Sequence, residues 1–281
     1  MSKENTAVTK KKIKRCKEDV VFDAACFIIL TLVLFVVAYP LYWVIISSIS
    51  APSAVSSGKV LLHPIGFTLK GYAEVFKNDQ VMRGFLNSLI ITFCGVMVNL
   101  IVTLPTSYAL SRSNFSGKKP ITIFYLITMF FGGGLIPTYL VIQRLQMLNT
   151  IWALILPGCL SVYNMIVART FFKSNISEEL YEAAEIDGCT QARFFFQIAL
   201  PLSKAIIAIL VLYYGVGHWN SYFSALVYIS DKAKYPLQLV LRNILITNQT
   251  ALSQTATTAA ARAALQEKQQ LIDVMKYSLI I

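Results

Sequence analysis

The stretch FIILTLVLFVVAYPLYWVII, residues Phe27–Ile46, contains twenty consecutive residues without a charge. A helix needs about 20 mostly apolar residues to cross the hydrocarbon core of a bilayer. The apolar block extends on both sides of this stretch, so the sequence predicts a membrane-spanning helix from Phe22 to Ser47. The block is too long for the core of a signal peptide, and no small-residue cleavage pattern follows it.

The composition of the whole chain points the same way. The 281 residues are 56% hydrophobic and only 14% charged, and the mean hydropathy is +0.61. An average soluble domain has about 25% charged residues, so this composition excludes a disordered chain and argues against an ordinary soluble enzyme. The net charge of +11 comes from short basic clusters between apolar blocks. Such clusters are typical of membrane topology and not of a nucleic-acid-binding face.

Four further apolar blocks are long enough to cross a bilayer. The predicted spans are residues 85–110, 121–142, 151–172 and 205–228. A sixth apolar block begins at Met275–Ile281 and is too short to cross. Several spans contain a proline or the triplet Gly132–Gly134, and we expect such sites either to allow close helix packing or to form a flexible cavity wall. The sequence therefore predicts an all-α integral membrane protein.

The distribution of lysine and arginine predicts the orientation of the helices. Seven basic residues lie between Lys3 and Lys17, so we expect residues 1–21 to be a basic tail in the cytoplasm and residues 22–281 to be the membrane domain. If the spans alternate, residues 174–203 face the cytoplasm and residues 229–273 form a long outer loop. A short helix is predicted within that loop at residues 259–268.

Cysteine and histidine residues form no pattern of a metal site or of a disulfide framework. His63 and His218 are far apart in sequence, and no acid–base pair or nucleophile triad occurs. We therefore predict no catalytic residue and no metal site. Amides buried in lipid need partners, and we expect some polar and aromatic residues in or near the spans to face a cavity or another helix. These candidates for a substrate path are Asn87, Tyr139, Asn164, Trp219, Asn220 and Tyr222, and Asn99 is a further amide within a predicted span.

The segment SNISEELYEAAEIDGCTQARFFFQIALP, residues Ser174–Pro201, lies between the fourth and fifth predicted spans. Ser177 is a good N-cap that precedes two glutamates in the first turn, and Gly188 is a natural helix stop. A second helix is predicted at residues 190–199, ended by Pro201. The expected apolar positions of the two helices are Leu180, Ala183, Ala184, Ile186, Phe194, Phe195 and Phe196. This spacing alone also fits a linker that lies in the membrane interface.

The spacing of Glu182-Ala183-Ala184, Gly188 and Ile198-Ala-Leu-Pro201 resembles the EAA loop of ABC-importer permeases, EAA-x3-G-x9-I-x-LP. Other stretches resemble carbohydrate-importer permeases, namely YALSR at Tyr108–Arg112 with FSGK at Phe115–Lys118, FLNSL at Phe85–Leu89 and FGGGLIP at Phe131–Pro137. From about residue 20 onward the chain is similar to the second permease of maltose-type importers. It is nearest to the oligosaccharide branch that includes LplC-like and alginate-importer permeases.

The resemblance implies a bundle of six transmembrane helices in the bacterial cytoplasmic (inner) membrane. Because only the start of a sixth helix is present, we expect the sequence to be a piece of a longer protein. The implied function is that of a permease subunit of an ATP-driven importer for a sugar or oligosaccharide. The implied partners are a second homologous permease, two cytoplasmic ATPase subunits, an extracytoplasmic sugar-binding protein and membrane lipid, with no nucleic acid.

The resemblance also assigns residues to the coupling between the permease and its ATPase. The implied set is Glu182, Ala183, Ala184, Asp187, Gly188 and Pro201, with the alanines permitting close approach and Glu182 meeting a basic group. The sequence has no GxxxxGK[ST] motif, so ATP and Mg²⁺ are expected on the partner ATPase and no cofactor on this chain.

Two other classes of function compete with the importer. A secondary transporter or channel needs no ATPase, but it commonly has ionisable residues deep in its spans, and none is predicted here. A membrane-embedded enzyme needs a catalytic constellation, which the sequence lacks.

Overall fold

The computed structural model of the chain describes residues 17–251 and residue 277. Over these residues the secondary structure is helical, without strands, as predicted. The α-helices are α1 Lys17–Ser48, α2 Pro52–Ser56, α3 Lys70–Lys77, α4 Asp79–Ser111, α5 Lys118–Phe130, α6 Leu135–Arg144, α7 Trp152–Ile155, α8 Val162–Asn175, α9 Glu178–Ile186, α10 Gln191–Phe194, α11 Leu200–Leu202, α12 Lys204–Trp219, α13 Phe223–Tyr228 and α14 Leu237–Ala251. Most of the basic tail, the predicted helix at 259–268 and the start of the sixth span, except Tyr277, lie outside the described residues.

The chain divides into two compact units, residues 1–73 with 257–281 and residues 74–256. In the first unit, α1 exposes apolar side chains along most of its length, such as Phe27 at 72%. Near its C-terminal end, Trp43 Nε1 donates to the Val60 carbonyl at 2.8 Å and Tyr42 Oη donates to the Leu62 carbonyl at 2.5 Å. These bonds hold the chain after α2 against α1, over a small core of Ile46, Ala54, Val55 and Val60.

Two of the described helices, α1 and α4, are each long and apolar enough to cross a membrane, and the number of crossings rises to five if each bent helix pair counts as one. The pairs are Lys118–Phe130 with Leu135–Arg144, Trp152–Gly158 with Val162–Asn175, and Gln191–Leu202 with Lys204–Trp219, bent by 114°, 52° and 80°. The predicted third and fourth spans are therefore wrong as continuous helices, because the first two bends fall inside them at sites of glycine or proline. The third bend falls at Ser203, before the predicted fifth span 205–228, and that span is instead interrupted between α12 and α13.

The breaks have local causes. The first falls at Phe131–Gly134, where Gly134 has φ +85°. The second follows Pro157-Gly158, and Ser161 then caps α8 by accepting from the Asn164 amide N–H. Side-chain periodicity cannot detect such breaks, because both halves of each pair remain apolar.

Two predicted boundaries also change. Residues 17–21 of the predicted tail are helical, because they belong to α1, and Glu18 and Asp19 lie in this part of the helix. The predicted outer loop 229–273 contains the fifteen-residue helix α14 at its start. Its residues 252–273 lie outside the described part of the chain.

The second unit is organised around α4, which packs against α8, α12 and α14. Gly95, Asn99, Thr103 and Ser107 recur every fourth residue and therefore share one face of α4. The three polar side chains of this stripe are fully buried. Asn99 Nδ2 donates to the Gly158 carbonyl at 2.8 Å, Thr103 shares a 2.8 Å hydrogen bond with a tyrosine of α12, and Ser107 Oγ donates to the Met165 carbonyl at 3.0 Å.

We predict that Gly95→Ala destabilises the second unit. A Cβ at Gly95 would lie 2.5 Å from Nε2 of His218, and this ring is held by a 2.7 Å hydrogen bond to Asn99 Oδ1. Because the ring cannot turn away without losing that bond, α12 must shift, at an overpacking cost of about 1–3 kcal/mol. The measurement is thermal unfolding of the purified protein in detergent.

Gly215→Ala is the matched control on the facing helix. Its Cβ would meet only Val96 Cγ2, at 3.9 Å, and alanine is the better helix former. An equal loss of thermal stability in both variants would contradict the packing account.

Candidate functional site

The segment 174–203, hereafter the EAA segment, begins with a capped helix. Ser177 has extended backbone angles, and its Oγ accepts from the Leu180 amide N–H at 3.3 Å. Glu178 and Glu179 occupy the first turn of α9, where negative charge complements the helix dipole. The predicted N-cap is confirmed.

Helix α9 ends in a Schellman motif. The Gly188 amide donates to the Glu185 carbonyl at 3.0 Å and the Cys189 amide donates to the Ala184 carbonyl at 2.9 Å. Gly188 has φ +77°, a value that side chains with a Cβ rarely adopt. Thr190 then caps α10 by accepting from the Arg193 amide N–H, so the chain turns from one helix into the next within four residues.

The buried face of α9 differs from the predicted one. Tyr181 and Ala184, three residues apart, are the buried positions and lie in the core with residues of α4, α8 and α12. Leu180 is 39% exposed and Ile186 is 87% exposed. The prediction failed because it followed aliphatic residues, whereas the inward face is set by the aromatic ring of Tyr181.

The second half of the EAA segment is one continuous helix, Gln191–Leu202, which includes α10 and α11. Phe194 and Phe195 are buried as predicted, but Phe196 is 66% exposed, because each residue of a helix is rotated by about 100° and three consecutive residues cannot share one face. Residues Phe195–Ala199 form a π-helical turn. Pro201 does not end the helix, since α11 continues to Leu202 and the chain breaks at Ser203. Pro201 therefore lies in the last turn of the continuous helix Gln191–Leu202, two residues before the break.

Arg112, which follows α4, is buried against the EAA segment. It is only 8% exposed, and its Cζ lies 4.0 Å from the ring centroid of Tyr181, 5.8 Å from that of Tyr108 and 5.9 Å from that of Phe194. A guanidinium over aromatic faces is attracted by their quadrupoles, by about 2 kcal/mol or more when water is excluded. We call these four residues the arginine cage.

Hydrogen bonds and charge connect the arginine cage to the first turn of α9. Arg112 Nη2 lies 3.7 Å from Glu178 Oε1, and Ser113 Oγ donates to the same carboxylate oxygen. Lys118 Nζ donates to the Ser113 carbonyl at 2.9 Å, which fixes the loop after α4. The end of α4 and the start of α9 are therefore held together.

Burial raises the pKa of Tyr181, and the carboxylate of Glu185 raises it further, while Arg112 acts in the opposite direction. The Tyr181 hydroxyl also accepts a hydrogen bond from Gln191 Nε2. Tyr181 therefore remains a neutral ring at physiological pH, which preserves both its hydrogen bond and its contact with the guanidinium.

On the side of α9 opposite the arginine cage, most residues are exposed on the surface of the chain. Glu182, Ala183, Asp187 and Gly188 of the implied coupling set are exposed, as is Pro201. Ala184 is the exception, because its side chain lies in the core of this chain. It cannot form part of an exposed alanine ridge, which corrects that expectation.

The six candidates for a substrate path do not converge on one site. Asn87 Nδ2 donates to the carbonyls of Ala233 and Tyr235 and so holds the chain before α14. The remaining five are spread over the second unit. Tyr139 stacks on Tyr228, and Trp219 packs edge-to-face on Phe85. Asn220 caps α12, the ring centroid of Tyr222 lies 6.0 Å from Arg242 Cζ, and Asn164 lines a cavity.

Comparisons with known proteins identify the relatives of this fold and segment. No family model matches the chain. It is 38% identical over 225 residues to the polygalacturonan/rhamnogalacturonan transport system permease protein YtcP of Bacillus subtilis, which covers 80% of this chain and 78% of that protein. It is 39% identical over 226 residues to protein LplC of Bacillus subtilis, with coverages of 80% and 76%.

A solved structure gives the same result. The crystal structure of a bacterial ABC transporter involved in the import of the acidic polysaccharide alginate contains a chain that matches with a TM-score of 0.83 and 26% identity. The match covers 95% of this chain and 92% of that chain. The helical membrane fold and the EAA segment thus define a permease of the ABC-transporter class. The identity and coverage of the relatives show that the chain belongs to the family of carbohydrate ABC transporter permeases, a multi-pass membrane protein, as the resemblance implied.

We predict that Arg112→Met loosens α9. The substitution keeps an apolar stem in the cage but removes the cation, so the attraction to three rings and to Glu178 is lost. A loss of about 2 kcal/mol would speed local opening about 30-fold. The measurement is amide hydrogen exchange of residues 178–186 in the detergent-solubilised protein.

Arg144→Met serves as the control, because Arg144 is exposed at the end of α6. Unchanged exchange of α9 in Arg112→Met would show that the cage does not hold the helix.

Proposed function

We propose that this chain is the permease subunit of an ATP-driven importer for a sugar or oligosaccharide, and that its EAA segment docks on a separate ATPase. The family membership supports the transport role. The observation that carries the docking proposal is the two-sidedness of α9. One side is fixed by the arginine cage, while Glu182 and Ala183 on the other side are exposed.

This arrangement suits the transmission of force. A helix that is bound to the end of a spanning helix through Arg112 and Glu178 moves with that helix, and an exposed carboxylate can accept a charge-assisted hydrogen bond from a basic group on a partner. Closure of the ATPase would then displace α9 and α4 together. The spans would alternate between inward-facing and outward-facing arrangements.

The assembly follows from the same proposal. The partners are a second homologous permease, two ATPase subunits that hold ATP and Mg²⁺, and an extracytoplasmic sugar-binding protein, which the outer stretch 229–273 contacts. The complex lies in the bacterial cytoplasmic membrane with the N-terminus inside, supported by the basic residues at Lys3–Lys17. Relatives named for transport of polygalacturonan/rhamnogalacturonan and import of alginate support an oligosaccharide as cargo.

We predict that Glu182→Lys weakens ATPase docking and lowers coupled uptake. A lysine at this position would oppose a basic group at the docking site, at a cost of about 1–3 kcal/mol when the pair is partly desolvated. The fold of the chain should be unaffected because Glu182 is exposed. Sugar uptake and co-purification of the ATPase measure the effect.

Glu179→Lys provides the charge-matched control in the same helix, since Glu179 is also exposed and lies in the first turn. Equal losses in both variants would indicate a general effect of charge. Normal uptake and normal ATPase binding in Glu182→Lys would exclude this carboxylate from docking.

We predict that Gly188→Val also uncouples uptake. A β-branched residue is strained at φ +77° and should reorient the turn between α9 and α10. Gly58→Val is a matched control, because Gly58 has φ +67° and neither glycine has an atom within 4 Å of an added Cβ. The backbone strain is thus similar at both sites, so coupling should be lost only at Gly188, as judged by sugar-stimulated ATP hydrolysis of the assembled transporter. Similar losses at both sites would refute a local role for the turn.

A further inference from the structure

A cavity of about 310 Å³ lies beside the polar stripe of α4. Ligand pockets commonly measure about 300–1,000 Å³, so this cavity matches a small group such as one ring of a larger molecule. Its lining comes from the break before α8, from α8 itself and from α12. The lining residues are Gly158, Ser161, Asn164, Tyr213, Tyr214, Gly217 and His218.

Asn164 is a largely buried residue whose side-chain amide makes no hydrogen bond to another described residue. It is 7% exposed, and among the described residues only its backbone N–H, not its side chain, makes a capping hydrogen bond. Neither Nδ2 nor Oδ1 of Asn164 belongs to the fully enclosed polar atoms that lack a partner in the described part of the chain, so both atoms can be reached from the cavity that Asn164 lines. The side chain therefore has one donor group and one acceptor group that are free for a ligand in the cavity.

The neighbouring polar groups are held in fixed positions. Asn99 donates through Nδ2 to the Gly158 carbonyl, so its Oδ1 accepts from His218 Nε2 at 2.7 Å. This arrangement requires the His218 tautomer with the proton on Nε2 and leaves Nδ1 as an acceptor. The Tyr214 hydroxyl is fixed in turn by Thr103 at 2.8 Å and by the Ser161 amide at 3.2 Å.

The shape and charge of the cavity restrict what it can bind. A Cβ added at Gly158 or Gly217 would meet no atom within 4 Å, so these two positions leave open space in the wall. None of the seven lining residues is lysine, arginine, aspartate or glutamate. A mixture of donors, acceptors and tyrosine rings without a formal charge complements hydroxyl groups and C–H faces, and it does not complement a carboxylate.

We propose that this cavity binds the hydroxyl-bearing edge of one sugar ring, with the Asn164 amide as its central contact and Tyr213 and His218 beside it. The proposal rests on the proposed carbohydrate transport and adds a binding site within this chain. It assigns recognition of ring hydroxyls to this permease, so that any carboxylate of the cargo must be recognised outside this cavity.

The test uses the complete transporter in proteoliposomes with its binding protein and two labelled trisaccharides, uncharged galactotriose and acidic trigalacturonate. Asn164→Leu removes the amide at similar volume, and Gly217→Leu fills the open wall. Both should raise the KM for uptake of the transported trisaccharide about tenfold, the equivalent of one lost buried hydrogen bond.

Val216→Leu adds a similar side chain at an adjacent position that is 53% exposed and outside the cavity, and its KM should equal that of the parent.

Basal ATP hydrolysis and co-purification of the second permease and ATPase are measured for each variant, and both should stay at the parent level. An unchanged KM in both Asn164→Leu and Gly217→Leu would overturn the proposal. So would loss of the second permease from both variants, which would identify the cavity as a subunit interface. If the parent takes up neither trisaccharide, the proposed carbohydrate transport is contradicted. If the parent takes up a trisaccharide and the KM of the variants is unchanged, only the proposed binding site in the cavity is contradicted.

Discussion

The arrangement of the second unit depends on hydrogen bonds that α4 makes to the helices on either side of it. In lipid, helices gain little from burying apolar surface against one another, so small residues and interhelical hydrogen bonds determine which faces meet. The stripe of Asn99, Thr103 and Ser107 meets the Gly158 carbonyl, the Tyr214 hydroxyl and the Met165 carbonyl. The break before α8 is part of this arrangement, because the Gly158 carbonyl lies where the helix is interrupted.

The C-terminal end of α4 makes a second set of contacts, with α9. Burial of a guanidinium is costly unless other interactions compensate for lost hydration. At Arg112 the compensation comes from three aromatic faces and from Glu178. One continuous helix thereby connects the polar stripe at its middle with α9 at its end. A displacement of α9 therefore acts directly on the surface that α8 and α12 share with α4.

Several features of the fold and site could be predicted from sequence because they depend on residues close together in the chain. The Ser177 cap, the Gly188 stop and the apolar extent of the spans are of this kind. The arginine cage could not be predicted, since its four residues come from two segments about 70 residues apart. Arg112 lies in the quoted YALSR stretch, but its spacing gives no sign of an aromatic partner. The inward face of α9 was mispredicted for the same reason. The bends could not be located either, because proline and glycine within an apolar stretch are compatible with straight, kinked or broken helices.

The π-helical turn at Phe195–Ala199 bears on how sequences in this family can vary in length. Such a turn contains one residue more than the α-helical turn it replaces. Because each residue advances an α-helix by about 100°, deletion of a single residue here would convert the turn to α-helix and rotate α9 by about a quarter of a turn relative to α12. Relatives that lack the extra residue would need a compensating insertion before Ser203 to keep Glu182 on the same side of the molecule. The number of residues in this stretch thus determines on which side of the molecule Glu182 lies.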